Sequence, residues 1–435
     1  MKSLAVTLLS IILFSCSTTK IINSRPESNY GFSIIQGSTT ETSTIIRVIY
    51  PRKLKITYKV KDSSGNDKPV KKIKTFLRKY SEFKIEHIKV TKLETDETYT
   101  LKINSGNERW KDERIFKSLD TKRNDLKILV ASCMSDAFNE IGNDMWPKAF
   151  SHGPDVSFLI GDNLYADTYS GIYLGKDYPA TPQHLFKRYM DHAMSMKLYR
   201  MKRLTPTYVT WDDHDYGKND GGKEYLYKKE SKEIFNIFFP REKSSHLQFG
   251  PGVSTSVELA GMNFLFLDGR SFRSDKKNPS GTHFGKKQRT WLKRNIQKEK
   301  INWLISGDQF FGGYHPWESF EGNHPKTFDS FLNDLRKSAG KVIFMSGDRH
   351  LIEVMKIPKE KLSYETFEYT ISGIHTKMYP GSLKRDPNPY RIDGLDGDPN
   401  FGIFKIKSIP KGVKVHFSAY SSSKKEVETN SFISY

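Results

Sequence analysis

The hydrophobic and polar positions follow two different patterns along the chain, and the change falls near residue 120. From about Tyr30 to Leu119, short runs alternate apolar and polar residues, and turn-rich pieces such as DSSGNDKP separate the runs. Alternation with a period of two is typical of strands that bury one face. Short strands at this spacing predict a small antiparallel β-sandwich over residues 30–120.

Residues 121–435 have a different texture, in which strongly apolar runs alternate with longer helical or irregular segments. The runs read LKILVAS, DVSFLIG, PTYVTW, MNFLFLD, INWLISG and KVIFMSG. Such runs indicate an α/β layered domain with a largely buried sheet. Thr181 and Pro182 predict the start of a helix that continues to Arg203, because Thr is a good N-cap and Pro suits a first turn. A further helix is predicted over 285–300.

Residues 1–16 predict export and attachment to a membrane. Lys2 precedes a short apolar run that ends in LFSC, so that Cys16 is its last residue. The run is too short for a membrane span and is typical of a secretory signal, and its end resembles the bacterial lipobox, whose Cys is acylated. We expect a lipid-anchored protein at the cell envelope, in the periplasm or on an outer-membrane face, with residues 17–29 as a polar tether. Simple secretion after cleavage is the alternative.

Charge and cysteine content narrow the possible functions and compartments only slightly. The net charge of +20 favours anionic substrates, nucleic acid or acidic surfaces, but the lysines are scattered and most are expected to form a solvated surface. The chain has two cysteines, Cys16 and Cys133. If Cys16 is acylated, no intramolecular disulfide can form, and the Cys133 thiol must be buried or occupied in an oxidising compartment.

Each apolar run ends in polar side chains that suit a metal ion or a phosphate group. These side chains are Cys133, Asp162 to Asp167, Asp212-Asp213-His214-Asp215, Asp268 with Arg270, Asp308 with Gln309, and Asp348-Arg349-His350. Taken singly, an Asp at a strand end is usually a turn or cap residue. Because strand ends form the ligand crevice of layered α/β proteins, the groups can nevertheless meet. The carboxylates of the DDHD segment repel one another unless a cation is present, so a metal centre is predicted, although solvated acidic turns also exist.

At these residues the sequence resembles the alkaline phosphatase D (PhoD-like) family, and GDNLYAD resembles the metal-bridging segment of purple acid phosphatases. The matching pieces are VASC (130–133), GDNLYAD (161–167), TWDDHDYG (210–217), LDGR (267–270), GKKQRTWL (285–292), SGDRH (346–350) and NFG (400–402). The resemblance implies a phosphoric ester hydrolase with a layered metallophosphoesterase domain. The N-terminal region resembles the fibronectin-type domain that precedes it in the family.

The resemblance also implies a centre of two or more metal ions, Fe³⁺ with Ca²⁺, although other divalent metals could serve. Asp162 would bridge the ions. The remaining ligands would be Cys133, Tyr165 and His350 for iron, and Asp213 and Asp348 for calcium. Gln309 is a further candidate on a loose alignment.

The same resemblance implies that a metal-bound hydroxide attacks the phosphate ester. His214 would lie close to the leaving group and protonate it. Arg270 and Arg349 would bind phosphate or support the metal ligands, and structural ion pairs are the alternative for both.

The chain departs from the family pattern in three places. Its signal lacks a twin arginine, Gly269 replaces a usual Thr, and residues 385–400 do not match. In that segment Asp393, Asp396 and Asp398 could bind Ca²⁺ or form a solvated acidic turn.

Two other functions remain open at this point. One is a phosphodiesterase that acts on phospholipid, wall polymer or nucleic acid, and the other is a non-catalytic surface lipoprotein on the same fold. The expected partners are a phosphate-ester substrate and the membrane, with nucleic acid only as a possible substrate, and the expected state is a monomer.

Overall fold

The protein's computed structural model describes residues 31–106, 110–169, 172–173, 178–278, 280–338, 340–423 and 426–434. The signal segment 1–16, with Cys16, and the tether 17–29 lie outside these residues, and their roles stay predictions. Among the described residues, no helix is long and apolar enough to cross a membrane.

The N-terminal region is built from antiparallel strands. They are β1 (Ser33–Thr39), β2 (Ser43–Pro51), β3 (Thr57–Asp62), β4 (Asp67–Lys68), β5 (Val70–Phe76), β6 (Phe83–Thr91), β7 (Thr98–Asn104) and β8 (Lys111–Lys117). The strands form two sheets with the orders β1-β2-β6-β5 and β4-β3-β7-β8. Val48, Leu101 and Phe116 belong to the apolar core that both sheets share. The predicted strands are present, whereas the fibronectin-type identity and the boundary at residue 120 stay predictions.

The rest of the chain contains further strands and helices. The strands are β9 (Asp125–Ala131), β10 (Val156–Ile160), β11 (Thr168–Tyr169), β12 (Ile172–Tyr173), β13 (Thr207–Thr210), β14 (Leu247–Phe249), β15 (Thr255–Leu259), β16 (Met262–Phe266), β17 (Asn302–Ile305), β18 (Val342–Ser346), β19 (Leu351–Ile357), β20 (Thr366–Ile371), β21 (Arg391–Asp396), β22 (Asn400–Ile409), β23 (Gly412–Ser421) and β24 (Glu426–Ser434). The helices are α1 (Asn139–Ser151), α2 (Pro182–Ser195), α3 (Asp213–Tyr216), α4 (Lys228–Phe238), α5 (Gly285–Asn295), α6 (Phe320–Asn323), α7 (Pro325–Lys337), α8 (Lys359–Leu362) and α9 (Ser382–Arg385).

Two mixed sheets pack face to face and form the layered core. Their strand orders are β13-β10-β9-β22-β23-β24 and β14-β15-β16-β17-β18-β20-β19-β21. Side chains from both sheets, including Phe158 and Trp303, share one buried apolar cluster. The predicted apolar runs are the strands β9, β10, β13, β16, β17 and β18, which confirms the α/β fold class.

The predicted helices begin as expected and end early. The Thr181 side chain accepts a hydrogen bond from the backbone N–H of His184, as an N-cap does, but α2 stops at Ser195 instead of Arg203. Buried Met196 adopts an extended conformation there, and a 3₁₀ turn follows over Lys197–Arg200. Helix α5 likewise ends at Asn295 because Ile296 is extended (φ −68°, ψ 120°).

The direction of the strands brings their carboxyl ends to one place. Strands β9, β10 and β13 are mutually parallel in the first sheet, and β16, β17 and β18 are parallel in the second. The ends of the two sheets are joined by backbone hydrogen bonds, such as the 3.2 Å bond from the Ile374 N–H, after β20, to the Ser132 carbonyl oxygen, after β9. All the predicted strand-end side chains therefore approach one site.

Candidate active site

Asp162 lies at the centre of a cluster of titratable side chains at the carboxyl ends of these strands. Its carboxylate is 1% exposed. Its ligand atoms lie within 4.8 Å of those in two groups, which are Cys133 with His350, and Asp212 with Asp213 and Asp348. Asp162 thus occupies the position that a bridging ligand requires.

Cys133, Tyr165 and His350 contribute sulfur, oxygen and nitrogen donors. The Cys133 Sγ is 3.5 Å from Asp162 Oδ2, and the Tyr165 hydroxyl oxygen is 3.1 Å from His350 Nε2. Burial raises the pKa of the Cys133 thiol, and the Asp162 carboxylate raises it further. Burial also raises the pKa of Tyr165 and lowers that of His350 to about 4. His350 is therefore neutral near neutral pH, whereas Cys133 and Tyr165 would release protons on binding a metal ion.

The second group consists of carboxylates. Burial and neighbouring carboxylates raise the pKa values of Asp162 and Asp212, and they raise the pKa of Asp348 to about 7. For Asp213 the cost of burial is outweighed by His214 and Arg270, so its pKa is lowered. These opposite shifts arise because the carboxylates are too close together to be ionised at once without a compensating positive charge.

The donor set fits metal ions. Asp212 Oδ2 is buried and has no hydrogen-bond partner in the described part of the chain. A cation would satisfy that oxygen and relieve the repulsion among the neighbouring carboxylates. Thiolate, phenolate and imidazole suit a transition metal, and clustered carboxylates suit a hard ion such as Ca²⁺. The structure brings Cys133, Asp162, Asp213, Asp348 and His350 together, with Tyr165 hydrogen-bonded to His350, whereas Gln309 is not among the groups that could hold a metal ion in the described part of the chain.

His214 lies beside the same carboxylates. One of its ring nitrogens is within 4.8 Å of ligand oxygens of Asp162 and Asp213. Burial opposes a charge on the ring, but Asp167, Asp213 and Asp162 outweigh it and raise the pKa of His214. The direction of this shift favours the protonated ring, which is the form that a proton donor requires. The geometry also permits metal ligation, so the assignment to the leaving group stays a prediction.

Arg270 is part of a buried network of ion pairs. Its side chain is fully buried, with Nε 2.5 Å from Asp212 Oδ1 and Nη1 2.7 Å from Glu318 Oε2. Its Nη2 atom is 3.8 Å from Asp213 Oδ1. Arg273 extends the network to Glu318 and to Asp308. The structure therefore shows Arg270 in the ion-pair arrangement that was its alternative role, and contact with phosphate stays a prediction.

Arg349 connects the site to the segment 385–400 that departs from the family pattern. Its Nη2 donates to Asp386 Oδ2 over 3.1 Å, and the indole N–H of Trp317 donates to the same oxygen over 3.2 Å. This segment therefore lies next to the SGDRH motif. Among the described residues, the groups that could hold a metal ion do not include Asp393, Asp396 or Asp398.

Three other strand-end candidates make structural contacts instead. Asp268 accepts hydrogen bonds from Trp211 and from backbone N–H groups, Asp308 pairs with Arg273 and His283, and Gln309 donates to Glu353 and Thr370. The Gln309 Oε1 atom lies 2.8 Å from His315 Nε2, so oxygen atoms of all three residues already have partners within the protein.

Sequence reasoning did not give roles to Asp212, Asp167 or Glu318. Asp212 stands beside Asp213 in the DDHD segment, and its clustering with other carboxylates was the available signal. Asp167 closes the GDNLYAD segment, which matches the family, but the resemblance gave no role to this residue. Glu318 lies in an irregular segment before α6, where no periodicity singles it out.

No family model matches the chain. It is 23% identical over 296 residues to alkaline phosphatase D of Bacillus subtilis (strain 168). The matched region covers 58% of this chain and 50% of the relative. The chain thus spans about half the length of the curated relative that it matches.

A solved structure described as the structure of PhoD has the same fold. The two structures superpose with a TM-score of 0.68, and the match covers 94% of this chain and 93% of the other at 16% sequence identity. At this identity the likeness establishes the fold alone.

Proposed function

We propose that this chain is PhoD-like and that it is a metal-dependent phosphoesterase. Its motifs, its similarity to alkaline phosphatase D and its fold support the proposal. One observation carries the proposal. The six side chains that the resemblance assigns to metal ions come from the ends of four strands, and five of them gather around the sixth, Asp162. Convergence of thiol, phenol, imidazole and carboxylates in one buried cluster is typical of metal centres and is costly without a cation.

The residues divide into two sets by the hardness of their donor atoms. Cys133, Tyr165 and His350 would hold Fe³⁺, Asp213 and Asp348 would hold Ca²⁺, and Asp162 would serve both. When bound, the ions polarise the phosphoryl oxygens and lower the pKa of a coordinated water.

The side chains around the cluster have separate tasks. Arg270 neutralises Asp212 and Glu318 and so holds the carboxylates of the site in place. Arg349, fixed by Asp386, lies next to Asp348 and would orient a phosphate oxygen. His214 would give a proton to the departing alcohol oxygen, because an alkoxide is a poor leaving group.

The test is a panel of phosphate monoesters and diesters with the purified protein, its chelated form and the chelated form reloaded with iron and calcium. We expect hydrolysis that chelation abolishes and that metal restores. The panel also separates a monoesterase from a diesterase. A protein that is inactive on every ester, loaded or not, would favour the non-catalytic surface lipoprotein.

We propose further that the protein is held at the cell envelope by a lipid on Cys16. This residue lies outside the described part of the chain, so the proposal rests on the signal sequence alone. Expression of the native gene should place the protein in the membrane fraction, and Cys16→Ser should release it. A wild-type protein found wholly in the soluble fraction would contradict lipid attachment.

A further inference from the structure

Asp167 holds the His214 ring through a hydrogen bond to one nitrogen. Both Asp167 oxygens lie near the same atom, Nδ1, at 2.8 and 2.9 Å. The Asp167 side chain is fully buried. Among the described residues, no candidate metal-binding group includes it. A carboxylate in this position accepts a hydrogen bond from Nδ1–H and so determines which ring nitrogen can face a substrate.

The neighbouring contacts restrict the ring in its other directions. The Tyr165 ring stacks on the His214 ring with centroids 4.0 Å apart and planes 29° apart. The backbone N–H of Ala166 donates to the His214 carbonyl oxygen over 3.0 Å. The segment 162–167 thus supplies the bridging carboxylate, the stacking ring and the hydrogen-bond acceptor within six residues of sequence.

We propose that Asp167 is a positioning residue for the reaction, which fixes His214 with Nδ1–H towards Asp167 and presents Nε2 to the leaving oxygen. This inference rests on the proposed phosphoesterase function. Because Nδ1 is committed to Asp167, proton transfer to substrate must use Nε2. Asp167 does not touch the substrate and acts only through His214.

In the proposed hydrolysis, a water oxygen forms the new bond to phosphorus, and the bond from phosphorus to the ester oxygen breaks with its electron pair on that oxygen. The ester oxygen takes the proton from His214 Nε2 and leaves as the alcohol. The proton that the attacking water loses restores the ring. Asp167 keeps its hydrogen bond throughout and exchanges no proton.

The experiment compares two phosphate monoesters that differ in the need for an acid. Nitrophenyl phosphate releases a stable anion, whereas glycerol phosphate releases an alkoxide that needs a proton. In Asp167→Asn the amide offers a donor as well as an acceptor, so it no longer selects Nδ1–H. We expect kcat/KM to fall at least about tenfold more for glycerol phosphate than for nitrophenyl phosphate. The difference should stay below the roughly 10²–10⁴-fold that a general acid contributes in full, because His214 itself remains.

Four further variants separate positioning from general damage. His214→Ala should show the same selective loss. Adding Asp167→Asn to it should cause no further loss, because Asp167 acts only through His214. Asp167→Glu keeps the acceptor and should recover part of the activity on glycerol phosphate. Asp136→Asn breaks the nearby buried ion pair with Arg188 and should leave the ratio of the two substrates unchanged.

The outcomes distinguish this inference from the proposed function. An equal loss on both esters, an additive double variant, or depleted metal in Asp167→Asn would overturn the positioning role alone. If Asp167→Asn does not fold, Asp167→Ala, which removes the acceptor, carries the test, and an unchanged substrate ratio in that folded variant would overturn the role. A wild-type protein without activity on any ester would overturn the proposed function, and the inference with it.

Discussion

Four residues of the candidate metal centre have left-handed backbone conformations. The φ angles are 56° for Cys133, 48° for Asp162, 66° for Asp348 and 52° for His350. Such angles are uncommon outside glycine and cost about 1–3 kcal/mol each where the surroundings impose them. Their concentration in one cluster indicates that the strand ends are shaped to direct these side chains towards a common point.

Because of the Cys133 thiol, we expect metal affinity to depend on pH. Its pKa is raised by burial and by Asp162, so metal binding must displace its proton. Replacing it in Cys133→Ser should reduce the slope of log affinity against pH by about one between pH 6 and 8, since each displaced proton contributes about one unit to that slope. Chelator competition at several pH values measures the slope. Cys16→Ser, which changes the chain's other cysteine, is the control, and an unchanged slope in Cys133→Ser would contradict thiolate ligation.

Asp348 predicts how the stability of the metal-free protein changes with pH. Its pKa is about 7 in the folded protein and 3.8 for an ordinary carboxyl, with burial as the main cause and Asp213 as the next. Between these values the unfolded chain releases a proton that the folded chain keeps, so the contribution of Asp348 to stability falls as pH rises from about 4 to 7.

The comparison with Asp348→Asn isolates this group, because the other titrating residues are common to both proteins. The unfolding free energy of wild type minus that of the variant should fall with pH by up to about 1.4 kcal/mol per unit. Denaturant unfolding of the chelated proteins measures the difference. Asp329→Asn, at an exposed position on α7, should show no such trend, and a difference that rises with pH would contradict the account.

At the scale of the elements, the two sheets approach so closely at Gly307 that a side chain has no room there. A Cβ atom on Gly307, at the end of β17, would lie 2.5 Å from both Cβ and Cγ of Asp212, at the end of β13. Real Cβ atoms are essentially never so close to another heavy atom. The bare backbone at Gly307 therefore fixes the position of Asp212 and, through it, of Arg270.

Gly307→Ala should therefore displace Asp212. We expect a loss of about 1–3 kcal/mol in unfolding free energy and a loss of about 10–100-fold in metal affinity, because Asp212 and Arg270 support the ligands. Thermal unfolding and metal titration measure the two effects. Gly31→Ala is the matched control, since a Cβ there meets nothing within 4 Å. Unchanged metal affinity in Gly307→Ala would contradict the supporting role.

The sequence predicts the strands and their chemistry better than the ends of helices or the ion pairs. Continuous apolar runs identified β10 and β18, because burial of both faces leaves a clear pattern. The early end of α2 at Ser195 was not visible, since tertiary burial of Met196 overrides helix propensity. The pairing of Asp167 with His214 joins residues 47 positions apart, and neither periodicity nor a local motif encodes it.

At the scale of the whole molecule, a chain with net positive charge contains a buried cluster of carboxylates. The net charge of +20 would attract anionic esters, while the interior site needs cations to accept them. The central claim is that the cluster around Asp162 holds metal ions. Asp162→Asn is suited to test it because Asn tolerates the φ of 48° at this position, so the variant should keep its fold.

The most direct test is the metal content per chain, by elemental mass spectrometry, of folded wild-type protein and folded Asp162→Asn after dialysis. The account predicts at least two ions per wild-type chain, iron with calcium, and a marked loss in the variant, because the carboxylate that serves both ions is gone. A wild-type protein that hydrolyses phosphate esters without stoichiometric metal, or equal metal content in the two proteins, would contradict it.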